Sequence, residues 1–295
     1  MTVLQDLRRC VEYTSDDHTL EALNTLSTSR YETEVLGKRI SLLDILEVYQ
    51  KVAFPFAEYL ALLPPMRPRH YSISSSPLRD PKTCSITYGV INSVSMAGTS
   101  RFQGVAGNYL SSLRMHDAVH VNVRSAPSAF HLPASSTNTP IMMFCNGTGL
   151  APFHGFIQER AVQHAANPHQ KLAPAVLFIG CRSPTADALY HDEIENWTKE
   201  GVVDVRYAFS REPDHYKALG CRYVQDRMLL DTEDVVSMWR SGARVYVCGS
   251  PDLVKGIKEA THQLMKNKMG GVPKEMVEKF FKGMRNERIA VDVFA

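Results

Sequence analysis

No run in the 295 residues approaches the ~18 consecutive apolar positions that a membrane-spanning helix needs. The opening MTVLQDLRRCVEY lacks the apolar core of a signal peptide. Cysteine is scarce, and its six copies (Cys10, Cys84, Cys145, Cys181, Cys221, Cys248) form no CxxC pair. That scatter argues against structural zinc and against a disulfide framework, and it suits a reducing cytoplasm. Net charge is only +2, which gives no pull toward nucleic acid or an anionic membrane. No internal repeat or low-complexity tract interrupts the chain. What remains is 44% hydrophobic and 22% charged, ordinary for a soluble globular protein, and long enough for two domains.

Three characters follow one another along the chain. Residues 1–66 read as a helical segment, with Ser41 and Asp44 as a capping box ahead of LLDILEVYQKV. Residues 67–139 carry short β-type stretches, YSISSS, CSITYGVINSV and AVHVNVRS, which suggest a small barrel or sandwich, and end in the loop-like AFHLPASSTNTP. From 140 to 295 strands and helices alternate. PIMMFC, APAVLFIGC, VVDVRYAFS and RVYVCG read as strands, while Ser183-Pro184 and Ser250-Pro251 each read as an N-cap followed by a first-turn proline. Continuous apolar strands separated by helices predict a doubly wound parallel sheet.

Several short motifs point to chemistry, each with a plainer alternative. PRHYSISSSP offers a cation, a flat ring and hydroxyls, the handles of a nucleotide-like cofactor. The glycine turn of CNGTGLAPF, placed after a strand, lets backbone N–H groups approach a phosphate, or is simply a tight turn. Ser210-Arg211, with Arg222 and Tyr223 about ten residues on, suits a ribose 2′-phosphate and hence NADPH over NADH, or is a solvated surface. GVAGNYL is a second phosphate cradle or a helix start. Cys248 at a strand end, beside Gly249, reads first as a packing residue, as most buried cysteines are. Phe294 in the apolar terminus RIAVDVFA is functional or merely tucked into a core.

The order of these motifs is more specific than any one of them. RxYSxxS, GVAx, GTGxAPFxGFxQER, FxGCRSPxxDxLYxxE, SRE…YVQ, YVCG and a terminal DVF together resemble the diflavin branch of the ferredoxin–NADP reductase superfamily. The resemblance runs from about residue 30 to the end. It is strongest to the FAD/NADPH part of cytochrome P450 reductases, as in self-sufficient fused fatty-acid hydroxylases. It implies hydride transfer from NADPH to FAD, then electrons to a flavodoxin-like FMN domain and on to a haem monooxygenase.

By resemblance, Arg69 contacts the FAD pyrophosphate, His70 is a further FAD-binding residue, Tyr71 lies against the isoalloxazine, and Ser72 neighbours the atom that accepts hydride. Thr87, Tyr88 and Gly89 line the ring edge, while Gly104, Val105, Ala106 and Gly107 cradle the pyrophosphate. Thr148 belongs to the nicotinamide turn, and Ser210, Arg211, Arg222, Tyr223 and Gln225 to the 2′-phosphate pocket. Ser72, Cys248 and Asp292 surround the transferring carbon, with Phe294 as the terminal aromatic that covers the flavin. No metal is implied.

Departures from the family pattern accompany the matches. Cys145-Asn146 stands for the usual Gly-Pro, Gly107 for a hydroxyl residue, His154 for an arginine or apolar residue, and Ser250 for an aspartate. Cys221 stands for the lysine ahead of YVQ, leaving Arg222 or Lys217 to carry that charge, and Phe294 stands for a tryptophan. Only 68 residues precede Arg69, so a partial flavin barrel and a separate FMN domain are expected. The rival readings are a truncated, non-catalytic remnant that binds NADPH alone, and the reductase part of a sulfite reductase or nitric oxide synthase.

Overall fold

The computed structural model describes residues 3–98, 101–126, 129–269, 273–285 and 287–294. Met1, Thr2 and Ala295, which the expectations above include, lie outside them. Contacts divide the chain into two compact units, Met1–His70 with Gly89–Ala118, and Tyr71–Tyr88 with Val119–Ala295.

The first unit opens with helices α1 (Val3–Glu12), α2 (Asp17–Ser27), α3 (Leu42–Val48) and α4 (Phe56–Leu62), with a π-type turn at Tyr31–Leu36. Leu7, Cys10, Leu23, Val35, Ile45 and Val52 form their shared core. The capping box at Ser41 and Asp44 is present, with Ser41 Oγ accepting from Asp44 N–H and the Asp44 carboxylate accepting from Ser41 N–H. Helix α3 stops at Val48, short of the expected YQKV. The chain turns there, Val52 N–H bonding to Tyr49 C=O and Ala53 N–H to Tyr13 C=O, which tucks Val52 into the core.

The β-type region is sparser than its composition predicts. Among its described residues it holds one antiparallel pair, β1 (Asn92–Val94) with β2 (Arg101–Gln103), followed by helix α5 (Val105–Ser112). In the second unit YSISSS and CSITY form, among the described residues, no ladder beyond the isolated bridge Ile73–Ile86. AVHVNVRS is not a strand. Its valines alternate as a strand face requires, but among the described residues no ladder pairs with them, and Val121 and Val123 stay 78% and 70% exposed.

The remainder of the second unit is the doubly wound sheet. Its strands are β3 (Ile141–Asn146), β4 (Ala175–Cys181), β5 (Asp204–Phe209), β6 (Arg244–Gly249) and β7 (Ile289–Val293), all parallel in the order β5-β4-β3-β6-β7. Helices α6 (Leu150–Ala166) and α7 (His191–Lys199) follow β3 and β4; α8 (Val224–Leu230) and α9 (Thr232–Arg240) follow β5; α10 (Pro251–Met269) and α11 (Lys274–Met284) follow β6. Two cores explain why β3 and its neighbours carry apolar residues on both faces. Ile141, Met143 and Cys145 face Phe153 and Ile157, while Met142 and Phe144 face Val247 and Ile257 on the opposite side.

Ser183-Pro184 does not start a helix. Asp187 folds the segment into a turn by accepting from Arg182 N–H, Ser183 N–H and Arg182 Nε–H, and the next helix begins at His191. Ser250 does cap, its Oγ accepting from Leu253 N–H at the start of α10. Among the described residues no helix is long and apolar enough to cross a membrane, and no acidic, histidine or cysteine group has metal-site geometry.

Candidate functional site

Strand order reverses between β3 and β6, and in doubly wound sheets a crevice for ligands opens there, beyond the carboxyl ends of the strands. The two glycines of the β3–α6 turn serve different needs. Gly147 has φ +52°, the left-handed region that a side chain disfavours. Gly149 has an ordinary φ, but a Cβ there would lie 2.2 Å from the Cys248 carbonyl oxygen, so the turn packs directly on the end of β6.

A cavity of about 480 Å³ occupies this crevice, of the size usual for small-molecule sites. Ser210, Arg222, Tyr223 and Gln225, four of the residues the resemblance assigns to a 2′-phosphate, line it; Arg211 and Thr148 do not. Arg211 and Arg222 are exposed, and among the described residues neither has a carboxylate partner, which leaves both guanidinium groups available to an anion. Sequence reasoning missed Asn146, Arg182, Asp187 and Asp252 on the same wall. The signal for Arg182 was its place in GCRSP, where β4 ends; its Nε bonds to Asp187.

Around the corner from this cavity, three expected residues converge. β6 and β7 pair Cys248 with Asp292, and Ser72 Oγ lies 3.4 Å from Asp292 Oδ2 across 220 residues of sequence. Cys248 is buried, and burial, with the Asp292 charge second, pushes its thiol up to about 12. Cys145, beside it on β3, is also pushed well up by burial. Both therefore stay neutral thiols, and neither is a nucleophile. Phe294 is tied to this corner through its N–H to the Gly249 carbonyl at 3.3 Å, while the residue is 41% exposed.

The serines of PRHYSISSSP divide by task. Ser74 and Ser76 are buried, and the protein consumes their hydroxyls: Ser74 Oγ pairs with Ser85 Oγ at 3.0 Å, and Ser76 Oγ with Glu159 at 3.0 Å. Ser75 Oγ accepts from Ser85 N–H at 2.9 Å. Ser72 keeps its hydroxyl toward Asp292. Tyr71 meets Tyr88 edge to face at 6.0 Å. Thr87 Oγ1 shares a 2.6 Å bond with Tyr190, whose hydroxyl also donates to Ser74 Oγ at 3.2 Å. The Tyr190 ring stacks on the buried His154, whose Nδ1 bonds to Ser74 C=O and Nε2 to Glu193. His154, an odd residue for the pattern, is thus a strut holding the Ser72 segment on α6. Tyr190→Phe should lower stability by about 1–2 kcal/mol, because Thr87 and Ser74 both lose a partner. Urea unfolding followed by circular dichroism would measure it.

The other expected flavin residues belong to the first unit. Arg69 is exposed, with Nη1 bonded to Arg67 C=O at 2.7 Å, and His70 and Gly89 are exposed beside it in sequence. Gly104 precedes α5, with Val105, Ala106 and Gly107 in its first turn. A Cβ on Gly107 would lie 2.7 Å from the Gly89 carbonyl oxygen, so the loss of the usual hydroxyl residue goes with a close backbone approach. That small-residue cradle fits a pyrophosphate, as the open guanidinium groups of the cavity fit a phosphorylated nucleotide.

Residues 3–109 match the family model of the FAD binding domain, and residues 143–259 that of the oxidoreductase NAD-binding domain. The first match runs through the helical segment, ahead of residue 30 where the resemblance was expected to begin. The chain is 47% identical over 287 residues to the bifunctional cytochrome P450/NADPH–P450 reductase of Fusarium oxysporum, covering 96% of this chain and 26% of that protein. It is 44% identical over 235 residues to a self-sufficient cytochrome P450 monooxygenase of Penicillium expansum, covering 80% of this chain and 22% of that one. A second such monooxygenase, from Phanerodontia chrysosporium, is 42% identical over 292 residues, 98% of this chain and 27% of its own length. The chain therefore spans about a quarter of the length of the curated relatives it matches. With an FAD-binding domain followed by an NAD-binding domain, it belongs to the FAD- and NADPH-binding flavoprotein reductases, on the branch that supplies the reductase part of P450–reductase fusions.

Proposed function

We propose that this chain is an NADPH-dependent reductase module. It receives hydride from NADPH on FAD and delivers electrons to a flavodoxin-like FMN domain and on to a haem monooxygenase. The observation that carries the reading is the meeting of Ser72, Cys248 and Asp292 at one end of the NAD-binding sheet, beside the Gly147–Gly149 turn.

NADPH supplies the hydride and FAD accepts it; the protein contributes position and electrostatics. Ser210, Arg222 and Gln225 hold the 2′-phosphate end, with Arg211 and Tyr223 at its rim, which favours NADPH over NADH. Thr148 and the Gly147–Gly149 turn take the nicotinamide side. Asp292 places a negative charge where positive charge develops on the donor, Ser72 spans from the flavin segment to that carboxylate, and the neutral Cys248 packs at the reacting carbon. Phe294 is exposed while its backbone stays tied to Gly249, so the ring can turn aside without unpairing β7. On the flavin side, the assigned contacts are Arg69, His70 and the Gly104–Gly107 cradle in the first unit and Tyr71, Thr87 and Tyr88 in the second, and β1 with β2 are elements of a partial antiparallel barrel. The functional division is then 1–66 connecting, 67–139 flavin and 140–295 nucleotide. Six free thiols suit a cytoplasmic setting.

A second reading, NADPH binding without flavin, is favoured by the exposed Val90, Ile91, Val94 and Phe102 on the flavin side. One experiment separates them. The purified chain is titrated with FAD, and NADPH is then added without oxygen while flavin absorbance near ~450 nm is followed, since hydride transfer bleaches the cofactor. Binding with rapid bleaching supports the reductase; NADP+ binding with no flavin uptake supports the second reading.

A further inference from the structure

Two residues that depart separately from the family pattern are bonded to each other. Asn146 ends β3 and Ser250 follows β6, 104 positions later. Asn146 Nδ2 donates to Ser250 Oγ at 3.1 Å, and Ser250 N–H donates to Asn146 Oδ1 at 3.1 Å. The proline usual at 146 has no side-chain group to make either bond. The Asn146 side chain also lies across Gly249, where a Cβ would sit 2.1 Å from Oδ1.

Gly249 lies between Cys248 and Ser250, and its carbonyl holds the Phe294 N–H. Asn146 and Ser250 therefore fix the short stretch that carries the thiol on one side and the terminal aromatic's tether on the other. Both residues also line the cavity that contains Ser210 and Arg222. They stand between the phosphate end of the crevice and the Cys248–Asp292 corner, at the point where strand order reverses.

We infer that Asn146 and Ser250 form a positioning clasp that sets the alignment of a dinucleotide between those two ends. The inference rests on the proposed nucleotide-binding reading and adds to it the residues that govern selectivity for ligands spanning both ends. NADP+ spans them, whereas 2′,5′-ADP reaches only the phosphate end. The clasp should matter to the first and not to the second.

The test is calorimetric titration of the full chain with both ligands. Asn146→Ala and Ser250→Ala should each raise the Kd for NADP+ by about 5–10-fold, the size of one lost hydrogen bond at a positioned site. The Kd for 2′,5′-ADP should stay within about twofold, since none of the phosphate-end groups changes. The double variant should be no worse than the worse single, and Ser250→Thr, which keeps the hydroxyl, should bind like the parent. Additive losses, equal losses for both ligands, or no change in NADP+ affinity would overturn the clasp. If Asn146→Ala fails to fold, judged by its far-ultraviolet spectrum, the comparison of Ser250→Ala with Ser250→Thr decides. A parent chain that binds neither ligand would instead overturn the nucleotide-binding reading, and the clasp with it.

Discussion

Asp292→Asn should slow NADPH-driven flavin reduction by about 10²-fold while leaving NADP+ affinity within about twofold, the pattern of an interaction made only in the transition state. The substitution is nearly isosteric. The amide oxygen can still accept from Ser72, 3.4 Å away from the native carboxylate, and residue 292 keeps its register opposite Cys248 on β6. On the proposed reading, what disappears is a negative charge facing a donor that becomes positive as hydride leaves. A ground-state contact would raise KM instead, so stopped-flow reduction rates at saturating NADPH, set beside NADP+ titrations, separate the two cases. Ser72→Ala should do less, because it removes a dipole and leaves the charge. The same Asp292→Asn change should lower the Cys248 thiol only modestly from its value of about 12, since burial outranks the Asp292 charge as its cause. A large gain in thiol reactivity toward alkylation, or a full-rate Asp292→Asn, would count against this role.

The nucleotide half was more legible in the sequence than the flavin half, for reasons that lie in particular residues. IMMFC, AVLFIGC and VYVCG are apolar or small at every position because both faces of each strand are covered, and no amphipathic helix or edge strand has that pattern. AVHVNVRS has an equally good strand pattern, yet a strand exists only with a ladder partner, and partnership is not written in the segment itself. The same limit applies to side chains. Ser74, Ser75 and Ser76 look like cofactor hydroxyls in PRHYSISSSP, but their bonds go to Ser85, Glu159 and Gln158. Tyr190 meets Thr87 from 103 residues away, and Asn146 meets Ser250 from 104. Local spacing reveals caps such as Ser41 with Asp44, because both partners lie within one turn. Ser183-Pro184 shows the opposite outcome, where Asp187, four residues past the serine, takes the free N–H groups and makes a turn of a helix start.

The glycines of CNGTGLAPF give the sharpest distinction between local and tertiary demand. Both Gly147→Ala and Gly149→Ala are expected to destabilise, but for unlike reasons and by unlike amounts. At Gly147 the backbone is left-handed at φ +52° and nothing lies within 4 Å of an added methyl, so the cost is conformational, about 1–2 kcal/mol. At Gly149 the backbone is ordinary, but the methyl would sit 2.2 Å from the Cys248 carbonyl oxygen and 2.7 Å from its carbon. Those are strand atoms in a paired parallel ladder, with β7 on one side and β3 on the other, so they cannot yield as a flexible side chain would. Overpacking against them should cost about 3 kcal/mol or more. The displacement also falls on the residue that faces Asp292, so NADP+ affinity should drop in Gly149→Ala by at least about tenfold, whereas Gly147→Ala should retain binding in proportion to its folded fraction. Denaturant unfolding with and without NADP+ gives both quantities from one preparation. Equal destabilisation by the two substitutions would mean that the turn is held by its own geometry and that its packing on β6 contributes little. The expected inequality makes the second glycine a device for bringing helix α6 against the thiol-bearing strand, which is how a loop in the sequence becomes one wall of the site.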